Sequence, residues 1–495
     1  MKTSQSVHIA IDLGAASGRI ICGVYDKRKL AIKEIHRFKN VPMNIDGLIS
    51  WNINHIYKNV KIGIKKSAQI YGNQISTIGL DSWAVDYVLL DENDNCLFWP
   101  RHYRNERNLD SMKMVTGLLG KNYIYNQTGI QFMPINTLYQ LYAEKLSASS
   151  LIPKAKTLLF IPDLLNFWLT GIKTAELTNA STSQFYNPVK NQWAFNIFQK
   201  LELPTYILPP ISTPGSLLGN LTDPLSQELN LTNTKIALTA SHDTASAIAA
   251  IPLSKNNNSV FISSGTWSLV GIQIDEPIIN ENSLKFGFTN EIGFAGNIRF
   301  LKNVTGMWLI QECLAYWQSI GLHYSIIKLV EAASKTRKST SFIDPDHQSF
   351  QTHGNMPAKI KKYLKLTGQE SPHSDPELIR IILKSIALKY KFVIEHLSLI
   401  SKKPIENIQI VGGGANNKLL NQMCADVTGL EVKAGPIEAT ASGNILGQLI
   451  SIDKLPSLEA GNELIESSFS TTNYYPKTLD QTEFNYTNFT DILSK

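Results

Sequence analysis

IAIDLGAASGRIICGVYD, Ile9 to Asp26, opens the chain with an apolar strand, a polar Gly-containing turn and a second apolar strand through Ile20, Ile21 and Val24. That order predicts a β-hairpin. The same events recur much later in SVFISSGTWSLVGIQI, Ser259 to Ile274, with Val260 to Ile262 as the first strand, Ser263 to Thr266 in the turn and Leu269 to Ile272 returning. Two halves that begin alike predict a duplicated architecture. Between them, short apolar strands such as STIGLDSWAVDYVLLD and TKIALTA alternate with helical patterns, the signature of α/β domains. The polar run SKNNNSV, Ser254 to Val260, marks the junction, so the expected domains are 1–250 and 251–455, with 456–495 as a peripheral tail.

Other segments punctuate this frame. Pro204, Pro209, Pro210, Pro214 and Pro224 predict an extended loop, because proline continues neither a helix nor a central strand. Ser374-Asp375-Pro376-Glu377 has capping-box spacing and predicts a helix that ends before Pro404, with Ile379, Ile382, Ile386, Tyr390, Val393 and Leu397 on one face. The lysines of Lys359 to Lys365 and Lys384 to Lys391 read as its and its neighbour's solvated faces rather than as a basic binding surface.

Composition narrows the function. The 495 residues are 43% hydrophobic and 18% charged, enough apolar material for more than one core. A net charge of +6 spread over that length lacks the concentrated basic field of a nucleic-acid binder. Cys22, Cys96, Cys313 and Cys424 lie far apart with no CxxC, which predicts neither a disulfide framework nor a zinc site and fits a reducing cytoplasm. No close histidine pair suggests a protein-bound transition metal. No 18-residue apolar run and no signal peptide are present, so no membrane association is expected.

Four segments carry candidate chemistry. The first turn sets Asp12 at the end of a buried strand, before Gly14, Ser17 and Gly18, whose small size lets backbone N–H groups approach an anion. Phosphate with hydrated magnesium suits that turn, and a plain hairpin suits it equally. The second turn adds Ser263, Ser264, Gly265 and Thr266 as donors. IVGGGANNKLLNQMCADVTG, Ile410 to Gly429, predicts a strand, a Gly412-Gly413-Gly414 ligand loop and a helix, although three glycines also make a simple tight turn. ASHDTASA places Asp243 at a helix N-terminus, where the helix dipole favours an ionised carboxylate able to take a hydroxyl proton during phosphoryl transfer. An ordinary N-cap is the competing reading. Neither GxxxxGK[ST] nor GxSxG occurs, so Walker-type phosphate binding and a hydrolase nucleophile elbow are both excluded.

IDLGAASGR, DSWAVDYVLLD, GIQFMPINTLYQL, ASHDTASA, SSGTWSLVG, LKNVTGMWLIQ and IVGGGANNKLLNQMCAD follow one another between Val7 and Leu449. Together they resemble the FGGY carbohydrate kinase family. The resemblance implies two ribonuclease H-like, actin-type ATPase domains around a central catalytic cleft, and transfer of the ATP γ-phosphoryl to the 1-hydroxyl of L-rhamnulose with Mg2+. It implies Asp243 as the base, His242, Asp243, Thr244, Asn303 and the position of Ala84 as sugar contacts, and Ala15, Ala16, Ser17, Gly18, Arg19, Thr266, Gln311 and Gly413 as ATP contacts. Asp12 is implied to organise the metal through water. At Ala84 the family commonly has glycine, which leaves another ketose or small polyol open as the acceptor. The partners expected are ATP and sugar, with the chain a monomer or weak homo-oligomer. An actin-like nucleotide switch would not need the acceptor-side segments SHDTAS and DSWAVDY. A sugar-binding regulator without catalysis would not need Asp12, Asp243 and both phosphate turns together.

Overall fold

The computed structural model describes residues 5–147, 151–251, 258–477 and 484–493. The chain packs into two compact units, 1–252 with 273–300 and 439–469, and 253–272 with 301–438 and 470–495.

In the first unit the opening hairpin is Ser6–Leu13 against Ser17–Tyr25, antiparallel, as the pattern predicts. Every residue of Ser6–Leu13 is buried, because the strand lies inside a six-stranded sheet. The order of that sheet is Ser216–Asn220, Lys235–Leu238, Ile75–Ser82, Ser6–Leu13, Ser17–Tyr25 and Leu30–Lys39. Ser6–Leu13 pairs in parallel with Ile75–Ser82, which sets Asp12 opposite Asp81. Helices cover both faces. Ile20 packs on Gly63 of the helix Ile53–Tyr71, while Gly23, at the opposite parity, is closed by Ile445 of the helix Ala439–Ser451.

The second unit repeats the device. Ser259–Ser264 and Trp267–Ile274 form the second hairpin, and Ser259–Ser264 pairs in parallel with Asn407–Val411. Glu431–Ala434 and then Thr472–Tyr474 extend the sheet beyond that strand. The predicted helix spans Asp375–Ser401, and all six residues of its expected face are buried. Its cap differs by one position. Ser374 Oγ accepts the Glu377 N–H at 3.3 Å, and the Glu377 carboxylate reaches back to the N–H of His373 at 2.8 Å rather than to that of Ser374.

Three expectations need correction, and the packing adds a return: Ala439–Ser451 comes back to the first sheet, where Gln448 Nε2 donates to the Ile9 carbonyl at 2.9 Å. Most of the expected junction run, 254–257, lies outside the described residues. The tail is not peripheral: Leu458–Ser468 buries Leu464 and Ile465, and Phe489 is buried edge-on against Phe342. Pro224 lies in the first turn of a helix, Asp223–Leu229, where its missing N–H costs nothing. Lys384 and Lys389 are not solvated. Lys384 lies 4.3 Å from the Phe342 ring centre, and Lys389 pairs with Asp344 at 2.9 Å and Asp346 at 3.2 Å.

Candidate active site

Two strand ends and one helix start carry the carboxylates expected on the acceptor side, all in the first unit. Asp12 ends the first strand and pairs with Arg19 across the hairpin. Asp81, fully buried, receives the Asn444 side-chain N–H on Oδ2 at 2.5 Å, while its Oδ1 accepts no hydrogen bond from the described residues. Burial first and the neighbouring Asp12 second hold the Asp81 carboxyl well above the ordinary range.

Asp243 is the first residue of the helix Asp243–Ala249, as expected. Its Oδ1 accepts the Thr244 N–H at 2.5 Å and the Thr244 hydroxyl at 3.2 Å. The helix start does not keep it fully ionised at neutral pH. Although 32% of its side-chain surface is open, crowding by protein and then the charge of Asp12 raise its pKa to about 7. A carboxylate poised there is matched to general-base work near neutral pH.

His242 is ordered by an arginine. Arg299, with no exposed surface, donates to His242 Nδ1 at 3.2 Å and pairs with Glu291 at 3.1 Å. Arginine only donates, so Nδ1 is the acceptor and the ring proton sits on Nε2, 3.5 Å from Asp243 Oδ1. Burial and then Arg299 lower the His242 pKa well below the usual value, which keeps the ring neutral.

Ala84 is half-buried, between Trp83 and Val85. Val85 has φ 69°, an uncommon conformation for a β-branched residue. Its carbonyl is held by the Thr137 hydroxyl at 2.7 Å and Gln140 Nε2 at 3.3 Å, which explains part of the GIQFMPINTLYQL segment. Asp86 follows, accepting from Trp51 Nε1 at 2.5 Å, Gln140 Nε2 at 2.9 Å and Trp83 Nε1 at 3.0 Å. Burial nonetheless raises its pKa to about 7.

The first turn expected to hold phosphate is closely tied to the scaffold. The Gly14 N–H donates to the Ser17 carbonyl at 2.9 Å, and the Asn40 N–H to the Ala16 carbonyl at 3.0 Å. A Cβ at Gly18 would stand 2.2 Å from the Phe38 ring, so an aromatic side chain fills the room that the missing side chain leaves. Ala15 to Ser17 remain at least partly open.

The second unit gathers three of the expected nucleotide residues around its own hairpin turn. The Thr266 hydroxyl donates to Gln311 Oε1 at 3.2 Å, and its carbonyl caps the start of the helix Trp308–Ser319. A Cβ at Gly414 would fall 2.0 Å from Ser264 Oγ, so that glycine lets the loop lie on the turn, while Gly413 beside it is exposed with open space where a Cβ would be. Asn303, on the strand Ile298–Thr305, belongs to this unit, and His242 and Asp243 belong to the first.

Sequence reasoning missed Asp81, Glu176, Glu291 and Arg299. The pair of carboxylates in DSWAVD was a local signal for Asp81. The others approach Asp243 and its turn only through long-range packing.

The fold itself has close structural counterparts. Xylulose kinase from Lactobacillus acidophilus superposes with a TM-score of 0.79 over 99% of this chain and 97% of that one, at 16% identity. Plasmodium falciparum glycerol kinase with ADP gives 0.78 over 99% and 98%, at 14% identity. The architecture is thus the two-domain, ribonuclease H-like, actin-type ATPase fold. In sequence, "FGGY family of carbohydrate kinases, N-terminal domain" matches residues 7–250 and the corresponding C-terminal domain residues 260–452. Proteins named rhamnulokinase from Oceanobacillus iheyensis and Bacillus subtilis are each 39% identical, over 96% of this chain and 100% and 96% of theirs. The chain belongs to the FGGY family of carbohydrate kinases.

Proposed function

We propose that the protein phosphorylates the 1-hydroxyl of L-rhamnulose with ATP, giving L-rhamnulose 1-phosphate and ADP in L-rhamnose breakdown. The observation that carries the reading is Asp243, a partly open carboxylate raised to about 7 with a neutral His242 fixed 3.5 Å away. As the acceptor oxygen bonds to the γ-phosphorus and the bond to the β,γ-bridging oxygen breaks, Asp243 takes the hydroxyl proton. The names of the relatives reported above supply the sugar. His242, Thr244, Asn303 and the Ala84 turn are its proposed contacts. Ala15 to Arg19, Thr266, Gln311 and Gly413 are those of ATP.

The donor set fits Mg2+ held through water. Asp12 and Asp81 bring hard carboxylate oxygens side by side, one of them without a hydrogen bond from the described residues. Among the described residues no three His, Cys, Asp or Glu side chains converge as a direct metal cage. Bound there with ATP, the ion would offset phosphate charge. Asp12 would orient its water shell.

Four free cysteines support a reducing, cytoplasmic setting, and no helix among the described residues is long and apolar enough to cross a membrane. The second reading is a kinase for another ketose, favoured by Ala84 where the family resemblance leads one to expect glycine. ADP release with Mg-ATP over a panel of ketoses, aldoses and glycerol, followed by product mass, tests both. Preference for L-rhamnulose upholds the first reading, and preference for another ketose upholds the second.

A further inference from the structure

The segment around Glu176 took no part in the sequence reading, yet it holds the turn that presents the base. Glu176 is fully buried and its carboxylate collects five donors. Oε1 accepts the Thr178 N–H at 2.9 Å. Oε2 accepts the Thr178 hydroxyl at 2.6 Å, the Ser241 hydroxyl at 2.7 Å, the Ser241 N–H at 2.9 Å and the Asn179 N–H at 3.3 Å. Ser241 directly precedes His242 and Asp243. The His242 N–H in turn donates to Thr178 Oγ1 at 3.3 Å, and the Ser241 carbonyl accepts the Ser82 N–H at 2.8 Å.

The seven-residue helix that begins at Asp243 has no side-chain cap from His242. A helix that short does not fix its own register, so the place of Asp243 is set by whatever holds residues 241 and 242. Beside the Ser82 N–H on the Ser241 carbonyl and Arg299 on the His242 ring, those anchors converge on one carboxylate and one hydroxyl, Glu176 and Thr178. We infer that Glu176 is a positioning residue for phosphoryl transfer: it fixes the Ser241-His242 turn so that the Asp243 carboxylate meets the acceptor hydroxyl. The inference rests on the reading of Asp243 as the base.

The full-length protein is tested as Glu176→Gln, Glu176→Asp and Glu176→Ala beside Asp243→Asn, with Mg-ATP and L-rhamnulose and rates expressed per folded molecule. In Glu176→Gln one amide oxygen still accepts the four donors gathered at Oε2, and kcat stays within about tenfold of the parent. Glu176→Asp keeps the charge but withdraws it by one methylene, and kcat falls roughly 100-fold with the KM for ATP unchanged. That ranking separates positioning from charge, and holds the inference open to refutation even where Glu176→Ala does not fold. Parent-like kcat in Glu176→Asp, or losses confined to the KM for ATP or to melting temperature, overturns it. Near-normal turnover in Asp243→Asn instead overturns the reading of the base, a distinct result.

Discussion

Asp243 ties activity and stability to pH in opposite directions. As the base it must be ionised, so kcat should fall below pH about 7, tenfold per unit, and Asp243→Asn should lose about 10²- to 10⁴-fold in kcat while ATP still binds. For stability, a carboxyl whose folded pKa is about 7 binds more protons in the folded than in the unfolded state between pH ~4 and ~7, so its contribution declines as pH rises through that window. Asp243→Asn is therefore expected to melt above the parent at pH 8 and with it at pH 4, which thermal scans at the two pH values check. Ala84 gives a second residue-scale outcome. Ala84→Gly should change kcat/KM ratios among L-rhamnulose, L-fuculose and D-xylulose by an amount equivalent to about 1–3 kcal/mol, with the KM for ATP constant. Flat ratios with only a lowered melting temperature would make Ala84 part of the scaffold that carries the left-handed Val85.

At the scale of elements, the two hairpins were legible because each signal is local: an apolar strand, a turn of small residues, and an apolar return within 20 positions. Asp243 was legible because a strand-to-helix junction is also local, but its raised pKa was not, since that needs burial by the folded chain and then Asp12 from another strand. Lys389 shows the same limit. On the helix Asp375–Ser401 it looks like one of many surface lysines, yet its partners Asp344 and Asp346 come from a distant loop. Burial lowers the pKa of nearby Lys302 to about 8, with Asp346 opposing that shift. Lys389→Met should thus cost up to roughly 3 kcal/mol in urea unfolding, because two partly buried carboxylates lose the lysine they share and Lys302 compensates only in part. Adding Asp344→Asn should restore part of it. An unchanged midpoint would show that the cluster contributes nothing net.

For the whole molecule, the returning helix Ala439–Ser451 matters more than the linear order suggests. Asn444 and Gln448 form one hydrogen-bonded chain with Thr77 and His8, running from Asp81 at the site to the far end of the first strand. A fragment ending at residue 252 lacks that helix, so Asp81 loses its Asn444 donor, Thr77 keeps His8 but loses Gln448, and Ile445 is absent from Gly23. Such a fragment should show little protection in hydrogen exchange. Full cooperative protection in it would mean that the first unit is independent of the return. No local periodicity in the sequence announces this helix as belonging to the first sheet, since its partners are over 350 positions away.

That return also sets an order of events on the ribosome. Translation proceeds at about 5–20 residues per second, and the stretch from the end of the first long segment to the last returning helix takes roughly 10–40 s to emerge. During that interval the nascent chain already carries Asp12, Asp81 and Asp243 but not the helix that completes their surroundings. The second unit, meanwhile, emerges almost whole. The first unit is therefore closed only after most of the second has been made, which reverses the order in which the two begin.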